Sequence, residues 1–293
     1  MRLSLDNSVI CKVFGVENGL KIIKNAGFDD VDYIFMAASP KDSIFEKDFR
    51  KTMSDTAQLL KKIGLGCNQT HSSIPISNGP VTIHYGDDFD MSNPRFANMV
   101  YVLESSAIMG ATQCVFHGLA VPQGGESEQY MEFNYNYFKA LEPYAKKYGI
   151  KIGIENLEKI SGNLYKAEWQ NELLDRLNSD QFYALIDLGH AAASDTTPDA
   201  HLLSIPRGRV QGLHFHDFNT ITAHIVPGLG ITDWDKVAQV LAEIGYEGDI
   251  DMEVSITYRQ FPKHLFPTVL QFIADSGKIF IEKFENAKAA LKK

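Results

Sequence analysis

The chain has 293 residues, 44% of them hydrophobic and 22% charged, which is ample apolar material for one large core. Its formal net charge is −9, with no run of five or six like charges, so it would repel a phosphate backbone and nucleic acid is not an expected partner. Cys11, Cys67 and Cys114 lie far apart without a C-x-x-C pair, the N-terminal residues lack the apolar core of a signal peptide, and no run approaches ~18 apolar residues. These features predict a reduced, cytoplasmic protein with no membrane span.

In chain order, Arg2–Leu5 is a short candidate for a first strand. A join at which a helix stops at glycine and a strand begins then recurs, at Asn25-Ala26-Gly27-Phe28, Lys62-Ile63-Gly64-Leu65, Ile108-Met109-Gly110-Ala111, Lys147-Tyr148-Gly149-Ile150 and Glu243-Ile244-Gly245-Tyr246. Glycine suits the left-handed residue that closes a helix. Buried-strand patterns follow at Val31–Ala38, Leu65–His71, Thr112–His117, Ile150–Asn156 and Gly248–Val254, and two more stand at Phe182–Asp187 and Val210–His216. Asn93-Pro94 reads as an N-cap and a first-turn proline before a helix over Phe96–Met109. The aromatics of Tyr130–Tyr137 fit an amphipathic helix and equally a subunit contact, so a homo-oligomer stays open. Thr232 is the expected cap of a helix over Asp233–Ile244, and Pro262–Leu291 is expected to hold two helices.

Eight strands alternating with helices call for a parallel sheet. Over this length they predict a single (β/α)8 TIM barrel spanning residues 1–293, with an open doubly wound sheet as the alternative. No G-x-G-x-x-G follows the first strand, which counts against a dinucleotide fold.

A parallel barrel carries its chemistry at the C-terminal ends of its strands. Those ends read His71, His117, Glu155-Asn156, Asp187 with His190 three residues on, His214-Phe215-His216-Asp217, and Glu253. Carboxylates gathered at one mouth repel each other and resist burial, and a bound cation removes that difficulty. Glu155, Asp187, His214 and Glu253 come from successive strands, 27 to 39 residues apart. Three carboxylates and an imidazole suit one divalent ion, Mn²⁺ first and Mg²⁺, Co²⁺ or Zn²⁺ as alternatives. His214 and His216 share a face by period-two alternation, so spacing alone does not choose between them.

At these residues the sequence resembles the xylose isomerase-like barrel superfamily, and within it the sugar phosphate isomerase/epimerase family. The resemblance runs from about the third strand to the eighth. It is carried by Gly153-Ile154-Glu155-Asn156, Asp187-Leu188-Gly189-His190, His214-Phe215-His216-Asp217 and His224-Ile225-Val226-Pro227-Gly228-Leu229-Gly230-Ile231-Thr232-Asp233-Trp234. It implies that Glu155, Asp187, His214 and Glu253 bind the metal, the family's H-x-x-D spacing selecting His214. It also implies that His190 touches a sugar or sugar-phosphate substrate. Ketose 3-epimerases of the family carry an arginine shortly after the strand-7 histidine, whereas Asp217–Ala223 has none.

The expected chemistry is proton transfer through an enediolate, with Glu155 and Glu253 as the acid/base pair and His190, His224, His71 and His117 on substrate hydroxyls. His71 and His117 fit a supporting role equally well. Gly228-Leu229-Gly230 reads either as a phosphate-receiving turn or as a plain tight turn. Three rivals are an inosose dehydratase-like lyase, a sugar binder without turnover, and a hydrolase resembling the zinc apurinic endonucleases. That last family has an aspartate two residues before the histidine matched by His224, and Thr222 stands there.

Overall fold

Eight short strands, each parallel to the next, close on themselves because β1 pairs with β8 as well as with β2 in this computed structural model. The structure describes residues 1–35, 48–72, 83, 85–119, 127–161 and 164–292. The elements run β1 (Leu3–Asp6), α1 (Ser8–Phe14), α2 (Val16–Asn25), β2 (Asp30–Ile34), α3 (Phe49–Ile63), β3 (Gly66–His71), α4 (Pro94–Met109) and β4 (Gln113–His117). They continue with α5 (Ser127–Tyr148), β5 (Lys151–Glu155), α6 (Ala167–Leu177), β6 (Phe182–Asp187), α7 (Leu188–Ala192), α8 (Pro198–Ser204) and β7 (Val210–Phe215). Last come α9 (Trp234–Ile244), β8 (Ile250–Met252), α10 (Ser255–Arg259) and α11 (Phe266–Ala290). The expected (β/α)8 barrel is therefore the fold observed. Residues 36–38 of the expected second strand lie outside the described residues.

Alternation sorts each strand into two faces. Leu3, Leu5, Val31, Phe116, Ile152, Ile154, Ile186, Leu213 and Met252 pack outward with the helices in one apolar core. The inward positions are mostly polar: Ser4, Asp6, Asp30, Asp32, Gln69, His71, Glu155, Asp187, His214 and Asp251 are all buried. Val115, Tyr183 and Leu185 form a small separate apolar cluster. A Cβ at Gly153 would stand 2.6 Å from the Tyr183 ring and one at Gly212 3.1 Å from it, so these two glycines make room for the ring.

The helix ends follow local chemistry. Gly64, Gly110 and Gly245 close α3, α4 and α9 in the left-handed conformation, as the recurring glycine join predicts. Asn93 caps α4 by accepting from Arg95 N, with Pro94 in the first turn. The cap of α9 is Asp233, which accepts from Lys236 N, and not Thr232. Thr232 N is committed instead to the Asp217 carboxylate. The expected pair of C-terminal helices is one 25-residue helix, α11, entered through a single 3₁₀ turn at Lys263–Leu265. Proline at position 267 falls in its first turn, where it breaks no helical hydrogen bond. Among the described residues no helix is long and apolar enough to cross a membrane.

His201, on the buried side of α8, is 2% exposed and its Nε2 has no partner. Burial lowers its pKa to about 4, partly offset by Glu168. Between that value and the ordinary 6.5 the unfolded chain binds the extra proton, so stability falls as pH drops through this window and is fully present above it. Urea titrations should show His201→Phe losing that acid-side slope, worth up to about 3 kcal/mol at the low end of the window. An unchanged slope would assign the acid sensitivity elsewhere.

Candidate metal centre

Strand endings place the site. His71, His117, Glu155 and Asp187 are the last residues of β3, β4, β5 and β6. His216 and Glu253 stand one residue past the ends of β7 and β8. Glu155, Asp187, His214 and Glu253 each bring a donor atom to within 4.8 Å of all the others. The imidazole turns Nδ1 toward the carboxylates, 3.0 Å from Glu155 Oε1, 3.4 Å from Glu253 Oε2 and 3.8 Å from Asp187 Oδ2. His214 and the three carboxylates are buried.

Around this group the other histidines act on the carboxylates. Glu155 Oε2 meets His117 Nε2 at 2.9 Å and His71 Nε2 at 3.3 Å. His71 Nδ1 lies 2.8 Å from Ser72 O, so both of its nitrogens are engaged, and the ring is 1% exposed. His216 Nδ1 accepts from His224 N at 2.9 Å, which puts its proton on Nε2. That proton faces Asp187, 2.8 and 2.9 Å from its two oxygens. His216 therefore holds Asp187 and is not one of the group of four. His190 Nδ1 lies 3.1 Å from Asn156 O and His224 Nδ1 3.1 Å from Glu253 O. Among these supporting histidines, the His117 and His224 side chains reach solvent most, at 17% and 27% exposure.

The charge distribution shows what the site lacks by itself. Burial alone would raise the Glu155 pKa, but the charges of His214 and His117 hold it well below the usual carboxylate range. Asp187 is likewise lowered against burial by His190 and His216. Glu253 is pushed up to about 8 by burial, with His214 opposing and Glu155 and Asp187 adding to the rise. Burial would also lower His214, yet Glu155 and Glu253 hold it protonated well above its ordinary range. The proton on Nδ1 thus stands where a cation would make the same contacts, and three carboxylate donors with one imidazole fit a divalent ion.

The sequence motifs have local causes. Asp187 caps the single-turn helix α7 by accepting from His190 N at 2.7 Å, which explains the D-x-x-H spacing. A Cβ at Gly189 would overlap the His216 ring, so glycine there admits the residue that holds Asp187. Asn156 clamps the Asp187 backbone from both sides, accepting from its N–H at 2.7 Å and donating to its carbonyl at 2.9 Å. The sequence reading gave Asn156 no role. It also passed over Asp32, whose carboxylate lies 3.4 Å from His214 Nε2, although period-two alternation on β2 could have placed it inward.

Asp217, wholly buried, gathers the loop after β7. Its carboxylate accepts from the backbone N–H groups of Phe218, Gly228, Gly230 and Thr232 and from Trp234 Nε1, all between 2.9 and 3.3 Å. A side chain at Gly230 would collide with Asp217. The Gly228 and Gly230 amides are therefore spent on an internal carboxylate and the Leu229 amide on the Val226 carbonyl, which favours the tight-turn reading over a phosphate cradle.

Residues 20–275 match a family model described as a xylose isomerase-like TIM barrel. The chain belongs to this family. It is 27% identical over 158 residues to the uncharacterized protein MJ1311 of Methanocaldococcus jannaschii, covering 51% of this chain and 54% of that one. The chain thus spans about half the length of the curated relative it matches. Its fold is similar to that of a D-tagatose 3-epimerase-like protein, with TM-score 0.73 and 20% identity over 99% of this chain and 100% of that one. It is also similar to D-psicose 3-epimerase from Clostridium cellulolyticum H10, with TM-score 0.77 and 11% identity over 96% and 99% of the two chains. An IolI protein with a bound zinc atom aligns with TM-score 0.72 and 16% identity over 98% and 99%.

Asp217→Ala would leave five donors without their acceptor. It should cost at least about 3 kcal/mol in denaturant unfolding and expose the loop after β7 to proteolysis. A loss below about 1 kcal/mol would show that the loop holds its shape without this carboxylate.

Proposed function

We propose that the chain is a divalent-metal-dependent isomerase or epimerase of keto sugars, with Glu155 and Glu253 exchanging a proton with a substrate carbon. The observation that carries this reading is the buried convergence of Glu155, Asp187, His214 and Glu253 within 4.8 Å at the barrel mouth. The four would hold one Mn²⁺, Mg²⁺, Co²⁺ or Zn²⁺. Such an ion would supply positive charge for the oxygens of an enediolate as that charge develops.

The chain's own residues do the rest. Glu155 and Glu253 approach from different sides of the ring of strands, as proton transfer on two faces of a carbon requires. Glu155, whose Oε2 is met by His117 and His71, is placed to accept the proton, and Glu253, beside His224, to return one. His117 and His224, the more exposed histidines, are placed to hydrogen-bond substrate hydroxyls, with His190 behind them. His71 supports Glu155 from below. The fold likeness to sugar 3-epimerases supports the substrate class, and the missing arginine in Asp217–Ala223 counts against a free-ketose 3-epimerase within it.

An endonuclease-like hydrolase would need further metal ligands beside His224. Thr222 at that position bonds its hydroxyl to the Ala223 carbonyl, and both His216 nitrogens are already used. The acidic net charge also works against a nucleic-acid substrate. A dehydratase would begin with the same proton abstraction and then lose water.

Two measurements test the reading. Elemental analysis of protein purified without added metal should find about one divalent ion per chain, and three zincs would favour the hydrolase. Incubation of keto sugars and their phosphates in deuterated water should label the carbon beside the carbonyl. Glu155→Gln and Glu253→Gln should each cut that exchange by about 10²–10⁴-fold with the fold retained. Undiminished exchange in both variants would remove the carboxylate pair from the mechanism, and loss of water from the substrate would make the protein a lyase.

A further inference from the structure

Beneath the mouth, His214 is gripped from its other side. Its Nε2 lies 3.4 Å from Asp32 Oδ2 and 3.2 Å from Gln69 Nε2, and Gln69 Nε2 is itself 3.1 Å from the same Asp32 oxygen. Asp32 and Gln69 are register partners on β2 and β3, and His214 reaches them from β7 across the barrel. All three side chains are buried.

The proton positions follow from the chemistry of the two ring nitrogens. Gln69 Nε2 can only donate, so if it donated to His214 Nε2 the imidazole would have to keep its one proton on Nδ1, the atom aimed at Glu155, Asp187 and Glu253, and could not offer that nitrogen to a cation. Turning the amide over would set Gln69 Oε1 against the Asp32 carboxylate. One arrangement avoids both conflicts: Asp32 Oδ2 accepts from Gln69 Nε2 and from His214 Nε2, and the two nitrogens lie side by side as donors to one oxygen. With the Nε2 proton held by Asp32, the Nδ1 proton that faces the three carboxylates is the one a cation can replace.

We propose that Asp32 is a positioning residue, whose carboxylate receives the Nε2–H of His214 and fixes the imidazole in the tautomer and orientation that present Nδ1 to a divalent cation. The proposal rests on the metal-centre reading above. A carboxylate behind a ligating histidine both locks the ring and raises its basicity, and losing such a partner weakens metal binding by about 10–100-fold. Asp30 supplies the internal control. It stands two residues earlier on β2, is equally buried, and pairs with Arg2 at 2.9 Å without touching the four candidate ligands.

The test is calorimetric titration of the metal-stripped full chain with Mn²⁺ alone, beside the thermal midpoint of the metal-free protein. Asp32→Asn should bind Mn²⁺ about 10–100-fold more weakly while its metal-free midpoint holds or rises, and Asp30→Asn should stay within about twofold of the parent affinity. A purely structural residue would instead lower the metal-free midpoint and leave the affinity of the folded protein unchanged, which would overturn the proposal. If Asp32→Asn does not fold, Gln69→Met removes the other donor to Asp32 at similar volume. It should weaken Mn²⁺ at least about threefold, and parental affinity there would also overturn the proposal. Absence of Mn²⁺ binding by the parent chain would bring down the metal centre itself, an outcome distinct from parental affinity in the variants.

Discussion

Three carboxylates held under the surface around one imidazole are the constraint from which the rest of the barrel mouth follows. Each buried carboxylate costs several kcal/mol unless positive charge or hydrogen bonds compensate it, and mutual repulsion adds to that cost. The compensation is unevenly shared. Glu155 has His214, His117 and His71, and Asp187 has His216, the His190 amide and the capped turn of α7. Among the described residues Glu253 has His214 as its close charged partner, with a longer contact of 3.7 Å to His224, and of the three it is the one displaced toward protonation. A site with that imbalance is poised to accept positive charge.

The neighbouring residues make sense as answers to the same constraint. Gly189 has no side chain because the His216 ring occupies that space. Asn156 sits beside Glu155 because the Asp187 peptide needs a donor and an acceptor at the end of β6, where the sheet ladder stops. Polar residues extend below the mouth as well, to Asp32, Gln69 and Asp251, where a barrel interior is more often aliphatic. Tyr183, seated against Gly153 and Gly212, supplies much of the apolar filling that remains.

Much of this was legible in the sequence because it depends on period and on strand ends. The glycine joins marked where helices stop, and the strand ends listed nearly every histidine and carboxylate of the mouth. What escaped depends on competition between neighbours. Thr232 looked like a cap, but the next residue, Asp233, offers the carboxylate that accepts from Lys236 N, so the helix begins one residue later. The two glycines after His224 read as a phosphate-receiving turn or a tight turn, and what the sequence did not show is that the turn closes on the chain's own Asp217. The break expected within the C-terminal segment had no packing cause, since α11 lies along β1, α2 and α9 as one piece. Asp32 was hidden by its ordinariness: one aspartate in a strand says nothing until the barrel closes and brings His214 across to it.

The Asp217 hub separates two tasks within one loop. Its anchor points at 218, 228, 230, 232 and 234 are fixed by a single buried carboxylate, while Ile221 and Leu229 project outward at 88% and 58% exposure. His224 lies between the anchors, in a left-handed conformation, and its carbonyl accepts from Ile256 N. The outward side chains can therefore drift during evolution without moving His224, provided the anchors persist. A lineage of such barrels could vary the surface of that stretch while inheriting the same buried floor of carboxylates and imidazoles.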